Sequence, residues 1–334
     1  MKETLRETLR KRAAELKPAA DTAFLELALE IYELQALECK PYSQWISSFS
    51  GLEPNSLQDI PRLHISAFKC QNVVSRQDQE ELTFTSSGTT GAATSKHMLF
   101  DSQSYLDNAS RGFSQFYGPV SELCILGLLP SYLERTGSSL VFMVEHFINQ
   151  SSYDSSGMYL HDHQRLFETL QQCKMQSIPT VLIGVSFGLL DFIEHYHVDF
   201  PNLVVMETGG MKGRREEISR NQLHTQLQAG FGVEDVHSEY GMTELLSQAY
   251  SQGNGRFRCT ASMRVFVTDI NDPLTIVPYG TAGLLNIVDL ANIDSCSFIM
   301  TDDLGIVHRD GTFEIIGRLD ESDIRGCNLM VADL

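Results

Sequence analysis

The chain has 334 residues, 42% of them hydrophobic, with 43 acidic against 25 basic side chains and a net charge of −18. That is enough apolar material for a sizeable core, in one large α/β unit or about two domains, and it excludes a disordered chain. The acidic balance speaks against nucleic acid or an anionic membrane as partner, because phosphate backbones reward clustered Lys and Arg. Seven cysteines, odd in number and without a C-x-x-C pair, read as reduced thiols rather than a disulfide framework or zinc site. Met1-Lys2-Glu3-Thr4-Leu5 starts no apolar signal segment, and no apolar run reaches spanning length. A cytoplasmic enzyme without a membrane span is expected.

In chain order, residues 1 to about 40 read as two helices. The first covers Glu3 to Leu16. The second has Asp21 as its expected N-cap and Phe24, Ala28, Ile31, Leu34 and Leu37 at helical spacing. Tyr42 and Trp45 open a short segment that closes near Gly51, and Pro61 punctuates an extended piece over 59–69. Residues 1–80 are therefore expected to be a helical lead-in packed on a main domain of residues 81–334.

At Thr83-Phe84 two β-favouring residues enter seven small or hydroxyl-bearing ones: Thr85, Ser86, Ser87, Gly88, Thr89, Thr90 and Gly91. Lys96 follows. Glycines let a backbone pass close to an anion, hydroxyls and N–H groups can cradle phosphate oxygens, and the lysine adds a point charge. The glycine-to-lysine spacing is not that of G-x-x-x-x-G-K-[ST]. The bland reading of such a stretch is a Ser/Thr/Gly linker.

Ser102 to Tyr117 reads as a helix, and Leu123 to Leu129 as a buried strand ending at Pro130-Ser131-Tyr132-Leu133-Glu134-Arg135. Another helix starts near Ser138 and covers Leu140 to Ile148. His161-Asp162-His163 lacks a third placed ligand and reads as a solvated loop or helix cap. Val181 to Leu190 is strand, turn, helix, and Gly184-x-Ser186-x-Gly188 matches the nucleophile-elbow pattern. A serine esterase or thioesterase would draft Asp302 or Asp303 with His308, an uncomfortably tight spacing. The strand Leu203-Val204-Val205-Met206 leads to Gly209-Gly210, and the polar stretch Lys212 to Gln228 reads as a helix.

Val236-His237-Ser238-Glu239-Tyr240-Gly241-Met242-Thr243-Glu244 is the most specific stretch. It offers an aromatic face for a base, a hydroxyl for a phosphate and a hard carboxylate oxygen for Mg²⁺. Further on come Thr301-Asp302-Asp303-Leu304, an Asp310-Gly311 hairpin turn flanked by Phe313 and Ile315, and Gly317-Arg318.

These stretches, in this order, resemble the acyl-adenylate-forming (ANL) superfamily. The 85–96 loop resembles its phosphate grip, with Lys96 beside the departing pyrophosphate, and Gly209-Gly210 resembles the turn against adenine. Residues 239–244 resemble the Tyr-Gly-x-Thr-Glu motif. There Tyr240 would stack on adenine, Thr243 would bond the α-phosphate and Glu244 would reach Mg²⁺. Asp303 matches the ribose-binding aspartate and Arg318 the Gly-Arg before the hinge; Asp302 stands where the superfamily has glycine, adding charge near the ribose.

The implied fold is α/β, an ANL-type N-terminal adenylation domain of mixed sheets sandwiched by helices, with the α-rich lead-in. Such enzymes usually carry a further small domain with a lysine, whereas this chain ends at Leu334, sixteen residues after Arg318. That ending, Ser131 to Arg135 and the stretch around Tyr240 are similar to LuxE-type acyl-protein synthetases. The resemblance implies ATP-dependent activation of a fatty or other carboxylic acid and transfer of the acyl group to Cys327. The acceptor would then be a partner protein (reductase or carrier) or coenzyme A. Arg325, two residues before Cys327, would favour its thiolate, whereas one cysteine among seven is also an ordinary small hydrophobe. Tyr132 and Phe187 are expected to line the acyl pocket. A third reading is a nucleotide-binding remnant without catalysis.

Overall fold

A computed structural model describes residues 2–49, 51, 53–86, 94–130, 137–209, 218–272 and 274–319. The chain forms two compact units, Met1–Asp78 together with Ala261–Leu334, and the uninterrupted Gln79–Thr260.

The first unit begins with helices α1 (Lys2–Glu15), α2 (Asp21–Glu38) and α3 (Lys40–Ile46), the short strand β1 (Leu63–His64) and α4 (Ala67–Cys70). Helix α2 buries Phe24, Leu27, Ala28, Ile31 and Leu34, but Leu37 points to solvent at 84% exposure. The helical spacing places Leu37 one turn beyond the apolar stripe, which closes with Leu34 and Gln35. Nor does Asp21 cap this helix: Ala20 holds the N-cap position without a side-chain bond. The Asp21 carboxylate instead accepts from Arg264 Nη2 at 3.2 Å.

Two buried polar side chains lock the lead-in within its unit. Gln35 is fully buried and donates to the carbonyls of Asn292 (2.9 Å) and Ile293 (3.1 Å), while its own oxygen accepts from Ser297 N at 2.9 Å. Arg6, 3% exposed, is paired with Glu38 and Asp294 and bonded to Ser75. Burial of such groups is tolerated only because their polar atoms are matched.

The second unit opens with a hairpin, β2 (Leu82–Thr85) and β3 (Lys96–Leu99), paired antiparallel from Leu82↔Leu99 to Thr85↔Lys96. Then come α5 (Ser102–Tyr117), β4 (Cys124–Leu128), α6 (Ser139–Gln150), β5 (Gly157–Met158), α7 (His163–Met175), β6 (Thr180–Val185), α8 (Ser186–Ile193), β7 (Val204–Thr208), α9 (Arg220–Phe231), β8 (Val236–Tyr240), β9 (Ala249–Ser251) and β10 (Phe257–Cys259).

The sheet order is β10-β9-β8-β7-β6-β4-β5, parallel from β5 to β8 and antiparallel at β9 and β10. Strands β4 and β6 are wholly buried, as their unbroken apolar runs require between covering helices. Asp101 caps α5 by accepting from Ser104 N, and Asp162 caps α7 by accepting from Arg165 N at 3.1 Å. His161-Asp162-His163 is thus a helix start. Helix α9 begins at Arg220, behind the Ser219–Gln222 capping box, and residues 212–217 of the expected helix lie outside the described residues.

The chain returns to the first unit with β11 (Met263–Thr268), β12 (Ala282–Asp289), β13 (Phe298–Val307) and β14 (Phe313–Arg318), neighbours in an antiparallel series, with β1 parallel to β13. Gly311, at φ 78°, lies in the left-handed region within the turn between β13 and β14. Among the described residues no helix is long and apolar enough to cross a membrane.

Candidate active site

The parallel strands of the second unit end in step: Leu128 pairs with Gly184, Val185 with Thr208, and Thr208 with Glu239. Their carboxyl ends therefore bring Pro130, Ser186, Gly209 and the Tyr240 turn to one edge, where open α/β sheets bind ligands. Gly209, at φ 71°, turns the chain in the left-handed region. Gly210 and Tyr132 lie outside the described residues, as do Ser87 to Gly91 of the phosphate-loop candidate.

What is described of that loop is its base. Thr85 and Lys96 face each other across the hairpin, and Ser86 and Ser95 are joined twice, by Ser86 N to Ser95 O (3.1 Å) and Ser95 N to Ser86 Oγ (2.8 Å). Lys96 is exposed. Thr85 N donates to Gly137 O at 2.8 Å, at the exit of the 131–136 segment. A Cβ on Gly137 would lie 2.9 Å from Thr83 O, so glycine permits this close approach.

The stretch from Glu239 to Glu244 forms the end of β8 and the turn after it. Tyr240 is buried at 8% exposure with its ring edge-on to Phe257, centroids 6.0 Å apart. Glu239 accepts from Thr208 Oγ1 at 2.6 Å, and its other carboxylate oxygen lies over Gly241, where any Cβ would collide with it. Burial pushes the Glu239 carboxyl up to about 7, against the Thr208 hydrogen bond and with the neighbouring Glu207 charge adding to the rise. Gly241 is exposed, Met242 and Thr243 half-buried and Glu244 buried.

One residue absent from the sequence expectations joins these parts. His97 on β3 is 1% exposed, and its Nδ1 lies 2.8 Å from Thr243 O. Its only sequence signal is a polar side chain on the buried face of a strand between Ser95 and Leu99.

Ser186 is not set up as a nucleophile. It is 2% exposed and gives its proton to Gly209 O at 2.6 Å. The glycines around it serve packing: a Cβ on Gly184 would meet Leu189 Cδ2 at 2.6 Å, and one on Gly188 would meet Pro130 at 3.1 Å. His308 bonds Glu314 at 2.8 Å and Asp302 bonds His64 at 3.1 Å, so the drafted triad partners are engaged elsewhere. Phe187 is buried in the core of the second unit.

In the first unit Thr301 Oγ1 donates to Leu285 O (2.8 Å) and accepts from Asp303 N (3.1 Å). Asp303 pairs in register with Arg318, whose Nε is 3.8 Å from Asp303 Oδ1 and whose Nη2 is 3.6 Å from Asp302 Oδ2. The His64 hydrogen bond, with the charges of His64, Arg318 and Lys69, holds Asp302 below the usual carboxylate range. The extra charge at Asp302 is thus balanced within its own unit. Among the described residues no group of three His, Cys, Asp or Glu side chains is placed to hold a metal ion. Cys327 lies outside the described residues.

The fold is one shared with solved ligases of low sequence identity. It is similar to ATP-bound MatB from Rhodopseudomonas palustris, with a TM-score of 0.55 and 17% identity over 73% of this chain and 49% of that one. It is also similar to 2-hydroxyisobutyryl-CoA ligase in complex with 2-HIB-AMP and CoA, at TM-score 0.67 and 14% identity over 92% of this chain and 77% of that one. The same ligase in its postadenylation state gives 0.68 and 13% over 92% and 70%. The chain thus spans about half the length of MatB, at 49%. No curated protein sequence matches it. Residues 39–334 match the family model of the acyl-protein synthetase LuxE, and the chain belongs to that family.

Proposed function

We propose that this protein activates a carboxylic acid, of the fatty-acid kind, as its acyl-adenylate and passes the acyl group through Cys327 to an acceptor thiol. The observation that carries the reading is the convergence in one unit of the hairpin base, the Gly209 turn and the Tyr240–Glu244 turn, with His97 bonded to Thr243. Family membership and the ligase-like fold support it.

In the first step a carboxylate oxygen attacks the α-phosphorus of ATP, the bond to the bridging oxygen breaks and pyrophosphate leaves. The Thr85–Lys96 loop and Thr243 donate to the phosphate oxygens on which negative charge accumulates. Mg²⁺ would offset part of that charge when bound with the triphosphate. The residue set fits it: Glu244 supplies one hard oxygen, and a magnesium ion takes its remaining ligands from phosphate and water. Tyr240 and Gly209-Gly210 frame the base. In the second step the Cys327 thiolate attacks the acyl carbon, AMP leaves and a thioester remains. The acceptor is a protein thiol or coenzyme A.

Intact-protein mass after incubation with ATP, Mg²⁺ and a panel of carboxylic acids tests this. A hydroxylamine-labile acyl adduct is expected on wild type and not on Cys327→Ser. Equal acylation of that variant removes Cys327 from its role, and AMP formation without any adduct points to a free thiol acceptor.

A further inference from the structure

We infer that His97 is a positioning residue for adenylation, fixing the loop that carries Thr243 and Glu244 to the base of the phosphate-loop hairpin. This rests on the adenylation reading above.

Strand β3 turns Lys96 outward and His97 and Leu99 inward, and His97 stands opposite Phe84, which is fully buried. An apolar side chain would fill that face without the desolvation that a buried imidazole incurs. What the imidazole adds is directional. Thr243 O can only accept, so Nδ1 carries the hydrogen, and the 2.8 Å contact spans 146 positions of sequence.

Its two ends are chemically pointed. Lys96 is the next residue on one side, and Thr243 and Glu244 are the residues on the other. Thr243 has its main-chain oxygen held while its hydroxyl is left for the phosphate. The far side of the same turn is held separately by Glu239 over Gly241 and Thr208. With both supports in place, the groups that meet the α-phosphate and those that meet the outer phosphates keep a fixed spacing. In-line displacement needs that spacing, since a misplacement of about 1 Å costs on the order of 10²-fold in rate.

The test is acid-dependent ATP–pyrophosphate exchange by wild type, His97→Asn, His97→Gln and His97→Leu. An Asn amide nitrogen stands near the place of Nδ1 and can donate to Thr243 O; a Gln amide reaches toward the Nε2 side instead. His97→Asn is expected to keep kcat within about threefold, while His97→Gln and His97→Leu lose on the order of 10²-fold in kcat with little change in the KM for ATP. His97→Gln, polar and of similar size, keeps the comparison open if His97→Leu fails to fold. Exchange by His97→Gln at the wild-type rate, or an Asn variant as impaired as the Gln variant, overturns the inference. If wild type itself exchanges with no acid in the panel, the adenylation reading falls first and this inference with it.

Discussion

In the unit of residues 79–260 the motif residues sit where parallel strands end and the backbone turns, whereas Asp302, Asp303 and Arg318 stand within a paired antiparallel ladder. The first arrangement works through main-chain shape: the Gly209 turn, Gly241 under a carboxylate, and a Thr243 carbonyl held by a distant imidazole. The second works through side-chain charge, with two acids, His64 and one arginine placed by register. One unit should therefore be intolerant of added methyl groups, and the other of altered charge.

The largest effect expected is at Glu244. Glu244→Ala should lower ATP–pyrophosphate exchange by about 10³-fold with the protein still folded, in line with the loss of a charge-stabilising group at a phosphoryl centre. Unchanged exchange would remove this carboxylate from metal binding. Next, Gly241→Ala must displace the Glu239 carboxylate and break its bond to Thr208, costing about 1–2 kcal/mol. In Gly241→Ala/Glu239→Ala the carboxylate is already gone, so the two changes should be clearly non-additive in thermal unfolding. Strict additivity would mean that Gly241 does not act through Glu239, and the backbone account of this unit would lose its best example.

Smaller is the pH effect of Glu239. Its carboxyl titrates near 7 in the fold, above its ordinary value, so the folded state retains a proton that the unfolded chain releases. Its contribution to stability is full in acid, falls as pH rises through that interval, and is level above about 7. Glu239→Gln should flatten this fall, gaining a few °C in Tm relative to wild type at pH 8 but not at pH 4.5; parallel Tm curves for the two proteins would contradict it. Smallest is His64→Ala. It removes a half-exposed pair with Asp302, costing roughly 0.5 kcal/mol near pH 6 and almost nothing once Asp302 is protonated in strong acid. A loss that persists once Asp302 is protonated would mean that His64 acts by packing.

Local elements were legible because their causes are local. Aromatics at Tyr105, Phe113 and Phe116 mark α5, and the apolar runs mark β4, β6 and β7. The turn after Tyr240 could be found because an aromatic, a hydroxyl and a carboxylate lie within five positions. Non-local chemistry left no such trace. Asp21 reads as a cap until Arg264 is seen beside it. Nothing near His97 announces a carbonyl 146 residues away. The Gly-x-Ser-x-Gly pattern is the reverse case: a strong local signal whose glycines answer to Leu189 and Pro130 and whose serine answers to Gly209.

The matching of Arg6 with Asp294, and of Gln35 with Asn292, Ile293 and Ser297, has a consequence for synthesis. Residues 79–260 are contiguous, so that unit can close on itself while translation continues. The helices of residues 2–38 are made before residues 292–297, so Gln35 and the Asp294 side of Arg6 stay unmatched until that segment emerges, although Glu38 and Ser75 reach Arg6 earlier. The apolar stripe of α2 is therefore open to wrong partners for most of elongation, and the nascent chain is a natural client for a chaperone.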